Sequence, residues 1–310
     1  MIVVCGEALI DVVIAARGAR RRSPGGGPFN TARALARLGV PASFVGRLSE
    51  DPFGRWLACL LEGDGASLAL ASSGPEPTTL AIAKVNEAGQ AAYEFHTRET
   101  SAPNLTPGMM EGSLPPTTAA LHVGTLGLLL EPMASTVVTF VKREGSGRLV
   151  MLDPNIRPAL VGNADKYLQH LHSVIGRSTI VKASDEDMAW LYPHVSYQRA
   201  CGALLGRGVR LVVVTLGERG AYAAMPGTYV NVQAPKVAVV DTIGAGDAFG
   251  AALLTWLYDK GQLHADFKLN QAELRSALEF ACLAASITCS REGADPPSRA
   301  ELVSRFQELS

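Results

Sequence analysis

Aromatic residues make up 6% of this 310-residue chain, and charge of either sign is nearly absent as an excess, with Lys+Arg 28 against Asp+Glu 29 and a formal net charge of -1. A near-neutral surface poor in aromatics offers neither the basic footprint nor the stacking platform that nucleic acid needs, and no attraction to an anionic membrane. Cysteine is sparse and scattered. Cys5, Cys59, Cys201, Cys282 and Cys289 form no C-x-x-C pair, a pattern that points to reduced thiols in a cytoplasmic protein. The six histidines give no metal-binding spacing, and His170 and His172 are too close to share a helix face. Long apolar runs are missing too. Glu7 and Asp11 interrupt the opening 14 residues, and Arg20-Arg21-Arg22 follows that run rather than leading it, so neither a signal peptide nor a membrane span is expected. There is no G-x-x-x-x-G-K-[ST], which excludes a Walker P-loop. The spacing of Gly244, Gly246 and Gly250 is not G-x-G-x-x-G, which argues against a dinucleotide site.

What is present alternates. Short β-branched runs at 2–5, 43–46, 120–123, 149–152, 180–182 and 211–215 read as buried strands. Between them, amphipathic stretches at 29–38, 53–61, 132–143, 164–175 and 197–205 read as helices, and longer helices are expected at 244–258 and 271–289. Such a succession predicts βαβ units and a mostly parallel sheet with helices on both faces. One stretch departs from it. Residues 78–84 and 90–95 alternate and are joined by Val85-Asn86-Glu87-Ala88-Gly89, a hairpin signal. With residues 12–15 it forms either a small accessory sheet covering the strand ends or an antiparallel edge of the main sheet.

The sharpest motif is Asp241-Thr242-Ile243-Gly244-Ala245-Gly246-Asp247, preceded by an expected strand at 236–240 and opening an apolar helix. Glycines there let the backbone approach a ligand. The first-turn amides lack intrahelical partners and carry the positive end of the helix dipole. A carboxylate beside such an anion hole suits phosphorylation of an alcohol: Asp247 accepts the hydroxyl proton while the amides of Gly244, Ala245, Gly246 and Asp247 hold the moving phosphoryl oxygens.

Together with Gly6-Glu7-Ala8-Leu9-Ile10-Asp11, Pro24-Gly25-Gly26-Gly27-Pro28-Phe29-Asn30 and Asp51-Pro52-Phe53-Gly54, this motif resembles the ribokinase (PfkB) family of carbohydrate kinases, in order and along nearly the whole chain. The resemblance implies a three-layer α/β/α ribokinase-like domain over residues 1–310, with a mostly parallel central sheet and lid strands inserted at about 12–22 and 78–98. It implies that Asp11, Gly25, Gly26 and Asn30 bind the sugar. On the nucleotide side it implies Lys182, Ser184, Thr215, Gly217, Gly220 and Thr242, with Cys282, Ala285 and Ser286 as an adenine-facing wall, for which a small-residue packing seam is an equal account. Mg²⁺ is implied near Glu186 and Asp187 through water, with Asp185 an alternative, and a monovalent cation (K⁺) near Asp241. Many relatives carry Asn-x-x-Glu where this chain has Ser184-x-x-Asp187.

Leu152-Asp153-Pro154-Asn155-Ile156-Arg157 and Phe95-His96-Thr97-Arg98 are similar to segments of bacterial fructokinases, which places Arg157 and Arg98 at the substrate. The expectation is thus an ATP-dependent kinase acting on the 6-hydroxyl of fructose. Kinases of 2-keto-3-deoxygluconate, ribose or a nucleoside are alternatives, and so is a non-catalytic sugar-binding regulator. The partners expected are a small sugar and ATP, with a homodimer formed through the lid.

Overall fold

The computed structural model of this protein describes residues 1–14, 20–85 and 91–309. Along the chain run β1 (Ile2–Cys5), β2 (Leu9–Ile14), β3 (Arg20–Gly25), α1 (Gly27–Arg37), β4 (Ala42–Val45), β5 (Arg47–Ser49) and α2 (Pro52–Asp64). Next come β6 (Ser72–Gly74), β7 (Leu80–Val85), β8 (Ala91–His96), β9 (Ala120–Gly124), α3 (Met133–Glu144), β10 (Leu149–Asp153) and α4 (Ala164–Ile175). Then follow β11 (Ile180–Ser184), α5 (Asp185–Leu191), α6 (Tyr197–Leu205), β12 (Leu211–Thr215), β13 (Ala221–Met225) and β14 (Thr228–Val232). Three helices close the chain: α7 (Ala245–Asp259), α8 (Gln271–Cys289) and α9 (Arg299–Leu309).

Eight strands form the central sheet in the order β14-β13-β12-β11-β10-β9-β1-β4. From β12 to β4 all neighbours are parallel, and β13 and β14 add an antiparallel edge. The pleat sends alternate side chains to opposite faces. Ile2 and Val4 of β1 join a core with α1, α2, α7 and α8, whereas Val3 and Cys5 join one with α3, α4 and α6. Both faces are thereby covered, which is why these strands read as continuous apolar runs. Fully buried side chains such as Phe29, Leu35, Leu57 and Leu121 each contribute roughly 1.5–3 kcal/mol of burial.

The hairpin β7–β8 belongs to a second sheet, ordered β3-β2-β7-β8, and not to an edge of the central one. β2 runs parallel to β7, and the other two pairings are antiparallel. The turn expected at 86–89, and the neighbouring Ala15 and Gln90, lie outside the described residues. Asp51 joins this sheet to the body of the molecule. Its carboxylate caps α2 by accepting from the Gly54 amide at 2.8 Å, and it also accepts from the Thr78 amide at 2.8 Å and the Thr78 hydroxyl at 2.7 Å, just before β7.

One expected strand is absent. Residues 236–240 pair with no strand among the described residues, because the sheet has already ended at β14 and this segment crosses the surface of α8 instead. The Ser286 hydroxyl donates to the Pro235 carbonyl at 3.3 Å, and the Val240 and Asp241 amides donate to the Cys289 carbonyl. Val239 and Val240 are exposed. An apolar, β-branched run therefore lies along a helix and not in a ladder. Among the described residues no helix is long and apolar enough to cross a membrane.

Replacing Asp51 with Ala removes a helix cap and the two bonds from Thr78 together. Urea denaturation is expected to show a loss of about 2 kcal/mol; an unchanged midpoint would mean that the base of the second sheet is held by other contacts.

Candidate active site

Strand order reverses at β1. The chain leaves it for β4 on one side, while β9 and its successors lie on the other. In open α/β sheets the crevice beyond the carboxyl ends of the strands at such a reversal is where ligands bind. A cavity of about 550 Å³ opens there. Its walls are Glu7, Thr125, Asp153, Lys182, Ser184 and Thr215 from the strand ends, the first turns of α1 and α7, and Leu9, Ala81 and Phe95 of the second sheet.

The glycine motif is one of those walls. Gly244 sits in the left-handed region (φ 77°) and caps α7 without any side-chain bond. A Cβ there would also lie 2.5 Å from the Ala294 methyl group. The Ala245 amide donates to the Thr242 carbonyl at 3.3 Å, and the ladder of α7 begins with Ala248 donating to Gly244 at 2.8 Å. The amides of Gly246 and Asp247 precede that ladder, so they carry the partial positive charge of the helix end at the cavity wall.

Asp247 is buried on this first turn. Its Oδ2 accepts from Asn30 Nδ2 of α1 at 2.8 Å, and a Cβ at Gly27 would come within 3.3 Å of its Oδ1. Burial, reinforced by the charge of Asp153, pushes its carboxyl up to about 6, against the pull of Asn30, Lys182 and Arg157. The Asn30 amide oxygen is buried and has no protein partner, which leaves it an acceptor for a bound hydroxyl. Asp11 stands on β2, paired in register with Ser23. Burial raises its carboxyl to about 6, partly offset by Arg157. A Cβ at Gly25 would sit 2.1 Å from Asp11 Oδ2, so only glycine leaves that carboxylate in place. Gly26 lines the cavity beside it.

Beneath the glycine turn lies a buried ion pair. Lys182 Nζ donates to Asp153 Oδ2 at 2.7 Å, and a Cβ at Gly246 would be 3.0 Å from that ammonium. Burial alone lowers the pKa of a lysine, but Asp153 more than offsets it, and Lys182 stays charged with its pKa raised. Asp153 Oδ1 is buried without a partner.

Other expected residues have different places. Both oxygens of Asp187 are engaged by backbone, the Ile156 amide at 2.7 Å and the Ser184 amide at 2.9 Å, while the Ser184 hydroxyl accepts from the Asp187 amide at 3.0 Å. This capping box fixes the β11–α5 turn to the loop after β10. Glu186 is exposed and outside the cavity wall, and Asp185 pairs with Arg219. Arg157 lines the cavity, its guanidinium braced on Asn155 Oδ1 at 2.6 Å. Arg98 does not reach the cavity. It is an exposed residue of the turn that follows β8, closed by the Thr100 hydroxyl on the Thr97 carbonyl, and Phe95 faces the cavity instead. Gly217 and Gly220 turn β12 into β13, and Cys282, Ala285 and Ser286 lie on α8, with Ser286 bonded to the 233–240 segment; none of the five lines the cavity.

Glu7 was not singled out from sequence. It is fully buried, accepts from the Gly27 and Gly127 amides at 3.1 Å each, and ties α1 to the 3₁₀ turn Thr125–Leu128. Burial raises its carboxyl to about 8. A lone acid within an apolar opening run was the available signal, as was Asp153 closing a strand of four apolar residues.

The fold and its acidic cavity fit what comparison finds. The model of the pfkB family of carbohydrate kinases matches residues 1–301. The chain belongs to that family. This carbohydrate kinase is 35% identical over 261 residues to a protein named fructokinase from Rhizobium leguminosarum bv. trifolii, covering 83% of this chain and 79% of that one. It is 30% identical over 306 residues to fructokinase-2 of Solanum lycopersicum, covering 96% and 92%. The kinase also superposes on the crystal structure of fructokinase from Vibrio cholerae O395 with fructose, ADP and calcium ion bound, with a TM-score of 0.84, 27% identity and coverage of 98% and 97%. A fructokinase from Xylella fastidiosa with bound ATP shares the fold at a TM-score of 0.90 and 24% identity.

The resemblance implies two ions, Mg²⁺ and an alkali cation. For Mg²⁺ held through water the cavity fits, since Asp153 Oδ1 is buried and partnerless on a wall it shares with Asp247, although no three acids among the described residues stand close enough to bind an ion directly. For an alkali cation at Asp241 the residues do not fit. Its Oδ1 accepts from the Ile243 amide at 3.1 Å, and its Oδ2 from the Gly293 amide at 3.0 Å and the Arg21 guanidinium at 3.2 Å. The nearby Cys289 carbonyl already accepts two amides.

The ion pair supplies a test that needs no substrate. Lys182→Met should cost about 3–5 kcal/mol in urea denaturation by stranding Asp153. Adding Asp153→Leu should restore most of that loss; equal losses in the single and double variants would show that the pair is not coupled.

Proposed function

We propose that this carbohydrate kinase is an ATP-dependent fructokinase, moving the γ-phosphoryl group of ATP to the 6-hydroxyl of fructose. The observation that carries the transfer chemistry is a buried Asp247 carboxylate beside the open amides of α7, on the wall of the cavity at the strand reversal. The choice of sugar is supported by the relatives named fructokinase and by the fructose and ADP bound in the Vibrio cholerae structure.

In this reading Asp11 and Asn30 hold sugar hydroxyls, and Gly25 and Gly26 bring the backbone close to the ring. Arg157 adds a cation at the sugar's side of the cavity. Asp247 accepts the proton as the hydroxyl attacks, and the oxygens of the group in transfer rest on the amides of Gly246 and Asp247. Lys182, directly beneath Gly246, adds a full positive charge to that end of the cavity, and Asp153 holds it in position. Ser184, Thr215 and Thr242 face the nucleotide's phosphates. Gly217, Gly220 and the α8 residues Cys282, Ala285 and Ser286 border the adenosine beyond the cavity wall. Asp153 Oδ1, with the Asp187 carboxylate beyond it, would hold Mg²⁺ through water, and the ion would supply charge neutralisation at the phosphates. Glu186, exposed and off the cavity wall, has no part in this. The second sheet closes over the sugar and keeps water from taking its place; its outer strand edges are where a second copy of the chain would pair.

ADP release with ATP, Mg²⁺ and a panel of sugars tests the reading. Fructose is expected to give the highest kcat/KM. Preference for ribose, a nucleoside or 2-keto-3-deoxygluconate would move the assignment within the family, and sugar binding with no ADP release would remove it. Asp247→Asn should lower kcat by about 10²–10⁴-fold with fructose affinity nearly unchanged. A wild-type kcat in that variant would exclude Asp247 as the base. Because its carboxyl is raised to about 6, the ionised form that can take a proton dominates above that pH and is lost below it. The kcat of the wild type should therefore fall about tenfold per unit below pH 6; a flat profile down to pH 5 would contradict the assignment.

A further inference from the structure

Arg21 lies on β3, in register with Val13 of β2, whose side chain faces the cavity two residues beyond Asp11. It is thus part of the sheet that covers the sugar end. Its guanidinium leaves that sheet and reaches two carboxylates of the central body, Asp241 at 3.2 Å and Glu292. Asp241 immediately precedes the glycine turn, and its Oδ1 holds the Ile243 amide inside that turn. Its Oδ2 holds Gly293, the neighbour of Ala294, which packs against Gly244. One cation therefore joins the covering sheet, the segment entering the anion hole and the loop that buttresses Gly244.

The surroundings of Asp241 explain why a cation is needed there. Its side chain is 15% exposed, and Glu292 and Asp11 add further negative charge around it. Of the basic groups nearby, Arg291 turns away to Asp295 and Glu301, and Arg37 also pairs with Asp295. Arg21 alone among the described basic residues is bonded to Asp241. Three donors already occupy the carboxylate, and the guanidinium supplies the positive charge that a bound alkali ion would bring.

We propose that Arg21 is a built-in cation for the phosphoryl-transfer turn, a positioning residue that replaces an alkali ion at Asp241 and couples the covering sheet to the anion hole. The inference rests on the kinase reading above. Its action is indirect: Arg21 touches no reacting atom, and it sets where the Gly244–Asp247 turn stands when the second sheet is in place. A displaced turn lowers transfer far more than nucleotide binding, since placement of the reacting groups is what the turn provides.

The experiment compares fructose-dependent ADP release and melting temperature in NaCl and in KCl at equal ionic strength, for the full chain and two variants. The wild type should show the same kcat and the same melting temperature in both salts. Arg21→Met should lower kcat about tenfold to a hundredfold in NaCl, with little change in KM for ATP. KCl should restore part of that kcat and raise the variant's melting temperature, because the emptied carboxylate can then take the ion. Arg21→Lys should keep wild-type salt indifference. Several-fold stimulation of the wild type by KCl overturns the proposal, as does an Arg21→Met variant with unchanged kcat, or one whose loss KCl leaves untouched in both readouts. Absence of ADP release from every sugar in the wild type would instead be a failure of the kinase reading, and the salt dependence of melting would still decide whether Asp241 takes an alkali ion.

Discussion

The site depends on keeping an ionisable carboxylate buried at the positive end of a helix. Burial and the neighbouring charge of Asp153 disfavour the ionised form of Asp247, and Asn30, Lys182 and Arg157 favour it. The balance leaves it raised to about 6 yet still ionisable, the property that the proposed general base requires. The helix end and the carboxylate are also the same turn of backbone, so Asp247 cannot drift from the open amides beside it.

Crowding of acids is the cost of this arrangement, and each acid on the cavity wall is held differently. Glu7 holds two amides, Asp187 holds two amides, Asp153 holds an ammonium, and Asp11 stands against a glycine that leaves it room. Three of these acids join elements distant in sequence: Glu7 links α1 to the turn after β9, Asp153 links β10 to β11, and Asp187 links β11 to the loop after β10. The acids are thus the fasteners of the strand ends as well as their chemistry. Lys182 and Arg157 are the cations set among them, and the Lys182 ammonium lies directly against Gly246. The second sheet is fastened at its base by Asp51 and toward the glycine turn by Arg21, so that sheet and that turn are parts of one connected network.

Much of this was legible in the chain because local rules and tertiary needs agree there. Buried parallel strands must be apolar on both faces, and 2–5, 120–123 and 211–215 read that way. The glycine turn announced itself, since Gly244 has to adopt φ 77° against Ala294 and no other residue does so without strain. The 236–240 run misled for a reason of the same kind: β-branched residues suit a strand, but only tertiary context decides whether a ladder has a free edge for them. Arg98 is exposed because β8 ends at His96 and the chain turns there, closed by the Thr100 hydroxyl on the Thr97 carbonyl. Glu7 and Asp153 look, in sequence, like ordinary strand-end acids. Their roles come from amides and an ammonium contributed by segments 20 to 120 residues away, which no local pattern encodes.

The most direct measurement of the central claim is a crystal structure of the kinase with fructose, ADP, Mg²⁺ and a planar fluoride mimic of the phosphoryl group in flight. The account predicts the planar group on the amides of Gly246 and Asp247, with the sugar's primary hydroxyl within hydrogen-bond distance of the Asp247 carboxylate. A planar group seated away from that turn, or a hydroxyl directed to Asp11 or Glu7 in place of Asp247, would contradict it.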